Sequence, residues 1–353
     1  MKFNLFMTSI LVIMLSMVVS KIVYFGFTPN YGADIFSHKA FDARFDHGGY
    51  QYRVLSKYLV YGVDGLLGRG MKEGGAEARV RAVTGGASER FYYAIYYVNT
   101  LFLALTSLMV VLLLNLDKSL RFSDTEKMLL VFFVPVLIGL TQFTVHYYDL
   151  SSYFLQLLIL YVFLKNIDSR YSQTMTAIMG LIVVSALNRE SAEVSVAMIA
   201  LLLVTRYGTT RRVIWSIIGM TACWLVTYFA LRLAIGSGGP PPKAAASAGN
   251  GFEPDMFMMG LIFWILFVYL PFAIAATEEN KWLIGGFFLL SLPYIITSVW
   301  SGDLWAVRLY VPLFLGALFL SKLDLAGAAV RISDTISRRR PVRLPAGQAE
   351  GQV

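Results

Sequence analysis

Cysteine and histidine are nearly missing from this sequence: Cys223 stands alone, and there are three histidines in 353 residues. A single cysteine inside an apolar run supplies neither a disulfide framework nor a thiolate cluster, and it is silent about redox compartment. His38, His47 and His146 show no helical His-x-x-x-His or Cys/His spacing, so no zinc centre is expected. Charge is scarce too. Asp, Glu, Lys and Arg make up 15% of the chain and hydrophobic residues 57%, against roughly 25% charged in soluble domains, which excludes a conventional soluble enzyme. No Walker lysine and no Gly-x-Gly-x-x-Gly after a strand gives nucleotide chemistry a seat. No Gly-x-Ser-x-Gly stretch offers a serine nucleophile.

What the chain does have is apolar runs of about 20 residues, enough to cross a hydrocarbon core about 30 Å thick. They predict an all-α, polytopic integral membrane protein with about ten transmembrane helices. The spans lie near 4–24, 91–115, 128–147, 150–166, 174–189, 191–207, 213–235, 256–277, 282–300 and 308–322. No small-residue cleavage site follows the first span, so residues 1–24 read as a retained anchor. An outer loop then covers 25–90, the helix bundle 91–322, and a basic tail 323–353. With both termini cytoplasmic, the inner connections carry 16 Lys and Arg and the short outer ones only Arg189, Arg232, Lys243 and Arg308. The net charge of +8 is thereby explained by loop topology and anionic membrane lipid, and nucleic acid is not an expected partner.

Two long connections are plain. Residues 236–254 are rich in Gly, Pro and small side chains and read as a flexible loop. The first outer loop is richer in signal. Between Gln51 and Gly68, Val54, Leu55, Tyr58, Leu59, Val63 and Leu66 recur at helical spacing, with Arg53, Lys57 and Asp64 on the opposite face. An interfacial helix over 51–68, lying on the outer leaflet, is expected.

Polar residues in unusual places all fall on the outer side. Asp42, Asp46, Gln51 and Arg53 follow the first span. His146 and Asp149 sit between the third and fourth, Asn188, Arg189 and Glu190 between the fifth and sixth, and Asp303 and Arg308 before the tenth. Charge at membrane depth is costly and tends to line a cavity, so four junctions on one rim predict a shared site. Plainer readings stand beside it: turn chemistry around Gly48 and Gly49, an Arg189 and Glu190 pair capping helix ends, an aromatic belt at Tyr147 and Tyr148, and Arg308 reaching for the interface. A divalent cation on Asp42 or Asp46 has nothing else to support it, and no cofactor is expected.

The segments DARFDHGGYQYRVLSKYL, HYYDLSSYFLQLLILYVFLK, ALNRESAEV and GDLWAVRLYVPLF together resemble a group of bacterial polytopic proteins related to the GT-C glycosyltransferases. The resemblance implies transfer of a sugar from a polyprenyl-phosphate carrier to a glycan, lipid or protein acceptor on the outer face of the inner (cytoplasmic) membrane. It also implies an acidic base in the first outer loop, which here matches Asp42 and Asp46. These two stand four apart, where the commoner acidic pair has one residue between. One carboxylate activating an acceptor hydroxyl is the requirement of a single inverting displacement. Arg53, Arg189 and Arg308 are suited to a phosphate leaving group. Glu190 is expected to orient Arg189, and Asp149 with His146 to hold acceptor or sugar, with Gln51, Asn188 and Asp303 completing the substrate-binding set. A transporter or flippase, a polysaccharide polymerase, an acyltransferase relying on His146, and a non-catalytic assembly protein are the competing classes. Transport sites favour broken helices and internal symmetry near the midplane, and no repeat is evident in this sequence.

Overall fold

The computed structural model describes residues 4–26, 38, 41–42, 51–70, 89–116, 119–143, 146–236, 254–300 and 307–324. Among them every named element is helical and no strand is present. In chain order the helices are α1 (Leu5–Gly26), α2 (Val54–Leu67), α3 (Glu89–Leu114), α4 (Asp124–Leu140), α5 (Asp149–Asn166), α6 (Tyr171–Asn188), α7 (Ala192–Tyr207), α8 (Arg211–Ile235), α9 (Pro254–Ala273), α10 (Glu278–Leu290), α11 (Leu292–Trp300) and α12 (Val311–Leu320).

Local chemistry sets several of these boundaries. α4 opens with a capping box: the Ser123 side chain accepts from the Glu126 backbone N–H, and the Glu126 carboxylate accepts from that of Ser123. Thr210 and Thr277 cap α8 and α10 in the same sense. α7 and α8 stop at Gly208 and Gly236, whose φ values of 65° and 81° favour glycine.

Three described helices, Leu5–Gly26, Arg90–Leu114 and Arg211–Ile235, are long and apolar enough to cross a membrane, and the bent pair formed by α10 and α11 adds a fourth. Only 17% of the apolar stretch of α8 is buried within the protein, and Val226, Phe229 and Leu233 are exposed. Such a surface is stable against hydrocarbon and not against water. The count of ten spans is not reached on length and apolarity alone. α7 and α12 have only 16 and 10 residues, and Ser, Thr, Gln and Asn dilute α5 and α6. The segment 282–300, expected as one span, is two helices bent by 55° at Ser291. Pro293, two residues on, disfavours continuous helix there.

Packing is organised around two long-range arrangements. α3 lies against α1, α4 and α5, while α8 lies against α6 and α7. α12 occupies the centre. All ten of its residues are buried, with α5, α7, α9 and α10 packed around it. Its C-terminal end is fastened at the end of the bundle away from the candidate site. Lys322 pairs with Glu126, Arg121 with Asp324 at 2.6 Å, and Asn280 donates to the Leu320 and Leu323 carbonyls.

α2 has the expected amphipathic character, but its docking corrects one part of the sequence reading. Ser56, Val60 and Asp64 turn inward onto α3 and α6, while Tyr58 and Leu66 face out. Asp64 is therefore not on a solvated face. It is buried and accepts from Arg90 Nε at 2.8 Å and Nη2 at 3.2 Å, with His38 Nε2 at 3.4 Å. A polar face is the inner face here because it meets polar helix ends.

The closeness of α12 to its neighbours is testable. A Cβ at Gly316 would stand 2.6 Å and 2.9 Å from the fully buried Phe287 ring, whereas one at Gly285 meets nothing within 4 Å. Gly316→Ala is expected to destabilise by roughly 1–3 kcal/mol, the usual range for overpacking. Gly285→Ala should be neutral or stabilising by up to about 1 kcal/mol through helix propensity. Thermal unfolding of the two variants side by side checks this.

Candidate functional site

Four separated chain segments meet where α1 ends and α3 begins. At the start of α5, Asp149 is fully buried in the first helical turn, where the helix dipole favours a negative charge. Its Oδ1 accepts from Arg189 Nη1 at 2.8 Å, and Arg189 is itself only 3% exposed. Arg189 follows the last residue of α6 in extended conformation, which turns the chain before α7 begins at Ala192. Arg189 Nη2 lies 3.5 Å from the Tyr294 hydroxyl on α11, which donates to the Leu309 carbonyl at 2.8 Å.

Arg308 closes the second side. Its Nη1 donates to His146 Nδ1 in a very short contact, and its Nε stands 3.9 Å from Asp149 Oδ2. The Arg308 carbonyl accepts from Tyr153 at 2.7 Å. Asp149 Oδ2 has no hydrogen-bond partner among the described residues, although it is buried. A buried acceptor left in that state costs about 1–3 kcal/mol, so it is a binding opportunity for a donor such as a hydroxyl.

The third side comes from the segment entering α2. Arg53 Nε and Nη2 both donate to Glu190 Oε2 at 3.3 Å, and the guanidinium lies 3.8 Å above the Tyr148 ring. Arg189 approaches the same ring at 5.6 Å, so Tyr148 separates two cations by cation–π contact. Asn188 ties three helices together: it donates to the Tyr148 carbonyl at 3.1 Å and accepts from Ser151 at 2.9 Å and from Ser56. Burial alone would raise the Glu190 carboxyl, but Arg53, a backbone N–H and Arg189 together hold it below the ordinary glutamate range.

The cluster thus holds the guanidinium groups of Arg53, Arg189 and Arg308 with the carboxylates of Asp149 and Glu190 and the His146 imidazole, and Glu193 is near enough to act on Glu190 and Tyr294. Several guanidinium donors converging in a buried setting suit an oxyanion such as a phosphate.

Of the residues expected from sequence, Arg53, His146, Asp149, Asn188, Arg189, Glu190 and Arg308 are brought together. Gln51 sits at the edge, donating to the Gly236 carbonyl at the end of α8. Asp42 is half-exposed and its partners among the described residues lie on α2, with Lys57 Nζ at 3.5 Å and the Tyr61 hydroxyl donating to it. Burial and that carboxylate keep Tyr61 protonated well above the ordinary tyrosine range. Asp46 and Asp303 lie outside the described residues.

Two role assignments change. Glu190 orients Arg53, and it is Asp149 that orients Arg189. Asp149 and His146 are both engaged by arginines, so they do not form a free acceptor-holding pair. Sequence reasoning missed the tyrosines. Tyr148 and Tyr294 are indistinguishable in sequence from interfacial belt residues, and only their partners reveal them. Among the described residues no group of three His, Cys, Asp or Glu is placed to hold a metal ion. No family model, curated protein or solved structure matches this chain.

Breaking one partner of a buried ion pair leaves the other charge unpaired, at a cost of about 3–5 kcal/mol, whereas removing both with apolar groups is nearly neutral. Asp149→Leu and Arg189→Met are each expected to lower the unfolding temperature strongly, and the double variant to recover most of the loss. The Glu190 carboxyl titrates lower in the folded protein than its ordinary value of 4.5. Its contribution is therefore complete above the unfolded value and lost as pH falls through the folded one. Unfolding temperatures of the native protein and Glu190→Gln should differ at neutral pH and converge only in acid, as pH falls below the lowered folded value.

Proposed function

We propose that this chain is a GT-C-like membrane glycosyltransferase of about ten spans, with both termini cytoplasmic. In this reading it transfers a sugar from a polyprenyl-phosphate donor to a glycan, lipid or protein acceptor at the outer face of a bacterial inner membrane. The observation that carries the proposal is the meeting of Arg53, Arg189 and Arg308 with Asp149, Glu190 and His146 from four helix junctions at one end of an apolar bundle.

Depth supports a lipid-borne substrate. α5, α6 and α7 have 18, 18 and 16 residues, or about 24–27 Å, short of a core about 30 Å thick. The far ends of α5 and α6 flank Asp168 and Arg170, charged and exposed, which suits a position of those ends at the headgroups. The near ends, with Asp149 and Arg189, then stop inside the hydrocarbon depth. A phosphate attached to a prenyl chain arrives at that level without leaving the bilayer.

The chemistry is a single displacement. A carboxylate in the first loop, Asp42 or Asp46, takes the proton of an acceptor hydroxyl as its oxygen attacks the anomeric carbon. The bond from that carbon to the phosphate oxygen breaks, and the prenyl phosphate leaves with the electron pair. The guanidinium groups of Arg53, Arg189 and Arg308 stabilise the negative charge that develops there. Asp149 and Glu190 hold Arg189 and Arg53 in place for it.

The bent pair α10 and α11 favours one second reading, a transporter or flippase, since broken spans are frequent in such proteins. Purified protein supplied with a synthetic prenyl-phosphate sugar separates the two. Release of prenyl phosphate, lost at least 100-fold in Arg189→Lys and in the Asp42→Asn, Asp46→Asn double variant, is the expected result. Translocation of the lipid without cleavage would replace transfer with transport.

A further inference from the structure

We propose that Arg232 is the docking point for the phosphate of the polyprenyl-phosphate carrier, with the prenyl chain lying along the exposed face of α8; this rests on the glycosyltransferase reading above. Arg53, Arg189 and Arg308 spend donors on Glu190, Asp149 and His146. Arg232 differs. Its guanidinium carbon lies 3.5 Å from the centre of the Tyr228 ring and 4.4 Å from that of Tyr52. Among the described residues no carboxylate forms an ion pair with it. Aromatic contact occupies the faces of a guanidinium and leaves its N–H donors directed outward in the plane. That plane is the geometry that engages two phosphate oxygens at once.

Register puts this cation beside the cluster. α6 and α8 run the same way, and at their starts Tyr171 bonds Ser216 at 2.9 Å and is covered by Arg212 at 3.7 Å. The same rise that brings α6 from Tyr171 to Asn188 brings α8 from Arg212 and Ser216 to between Phe229 and Leu233. Arg232 therefore arrives level with Arg189, within electrostatic reach of Glu190. A phosphate held there lies beside the buried cluster, whose guanidinium groups share the charge that develops on it during transfer.

The chain's path follows from the same helix. Ile218, Val226, Phe229 and Leu233 recur on one face of α8 and are exposed, Leu233 by 85%. This stripe begins one residue from Arg232 and descends the bundle. A single lipid with one charged end and one long methyl-branched hydrocarbon chain matches a cation at the head of an apolar track.

The test uses the full chain in phosphatidylcholine nanodiscs, titrated with polyprenyl monophosphate and read by native mass spectrometry. Arg232→Ala is expected to weaken binding at least tenfold, Arg232→Lys severalfold, and Tyr228→Ala severalfold, with unfolding temperatures near that of the native protein. Should Arg232→Ala unfold, Arg232→Lys and Tyr228→Ala carry the comparison. Binding unchanged in these variants overturns this inference alone and leaves the glycosyltransferase reading standing. Equal displacement by phosphatidylglycerol also overturns it, because the site would then be one for any anionic lipid. Failure of the native protein to bind polyprenyl monophosphate overturns both.

Discussion

Asp149 and Arg189 hold each other in a place where neither could stand alone. Both are buried, and a lone charge there would carry a desolvation penalty of several kcal/mol. Each therefore dictates the position of the element it belongs to: the first turn of α5 must meet the turn between α6 and α7. The remaining polar contacts extend that requirement outward. Tyr294 brings α11 to Arg189, Arg308 brings the segment before α12 to His146, and Asn188 draws in α2 through Ser56. A bundle of otherwise apolar helices is given one defined end by a handful of polar atoms, since apolar packing within lipid discriminates weakly between alternative arrangements.

The helices themselves were largely legible. Runs of apolar residues predict α1, α3 and α8 to within a few residues, because a long apolar run has little else it can become. The break at Ser291 was written in Pro293, but hydropathy averages over such a residue and hides it. The inward face of α2 was not legible. Periodicity separates Asp64 from the apolar side correctly, yet it does not say which side meets protein, and here Arg90 waits on the bundle side. Amphipathic patterns specify a division of faces, and the partner surface decides the rest.

Much of the candidate site was also legible as a set, because charge at helix junctions in an apolar chain is rare enough to stand out. The pairing within that set was not. Adjacent residues Arg189 and Glu190 invite a local pair, but they point to different neighbours, Asp149 and Arg53, each far away in sequence. Tyrosines were read as belt because their rings and their hydroxyls send opposite signals. Arg232 stands out in the sequence only as one of four basic residues in the short outer connections, because its contact with Tyr52, in another segment altogether, is not legible there.

The central position of α12 bears on how the chain is made. It emerges from the ribosome after every other described helix, yet the others surround it. Ten residues are too few to partition into lipid as an independent span. The place of α12 among α5, α7, α9 and α10 can be filled only after they are made, and it joins the polar cluster at one end to the Glu126 and Asn280 fastenings at the other. A chain cut before Arg308 would leave Gln156 and Tyr153 without the carbonyls they bind. Two buried polar side chains would then face an apolar interior unpaired, at a cost of about 1–3 kcal/mol each.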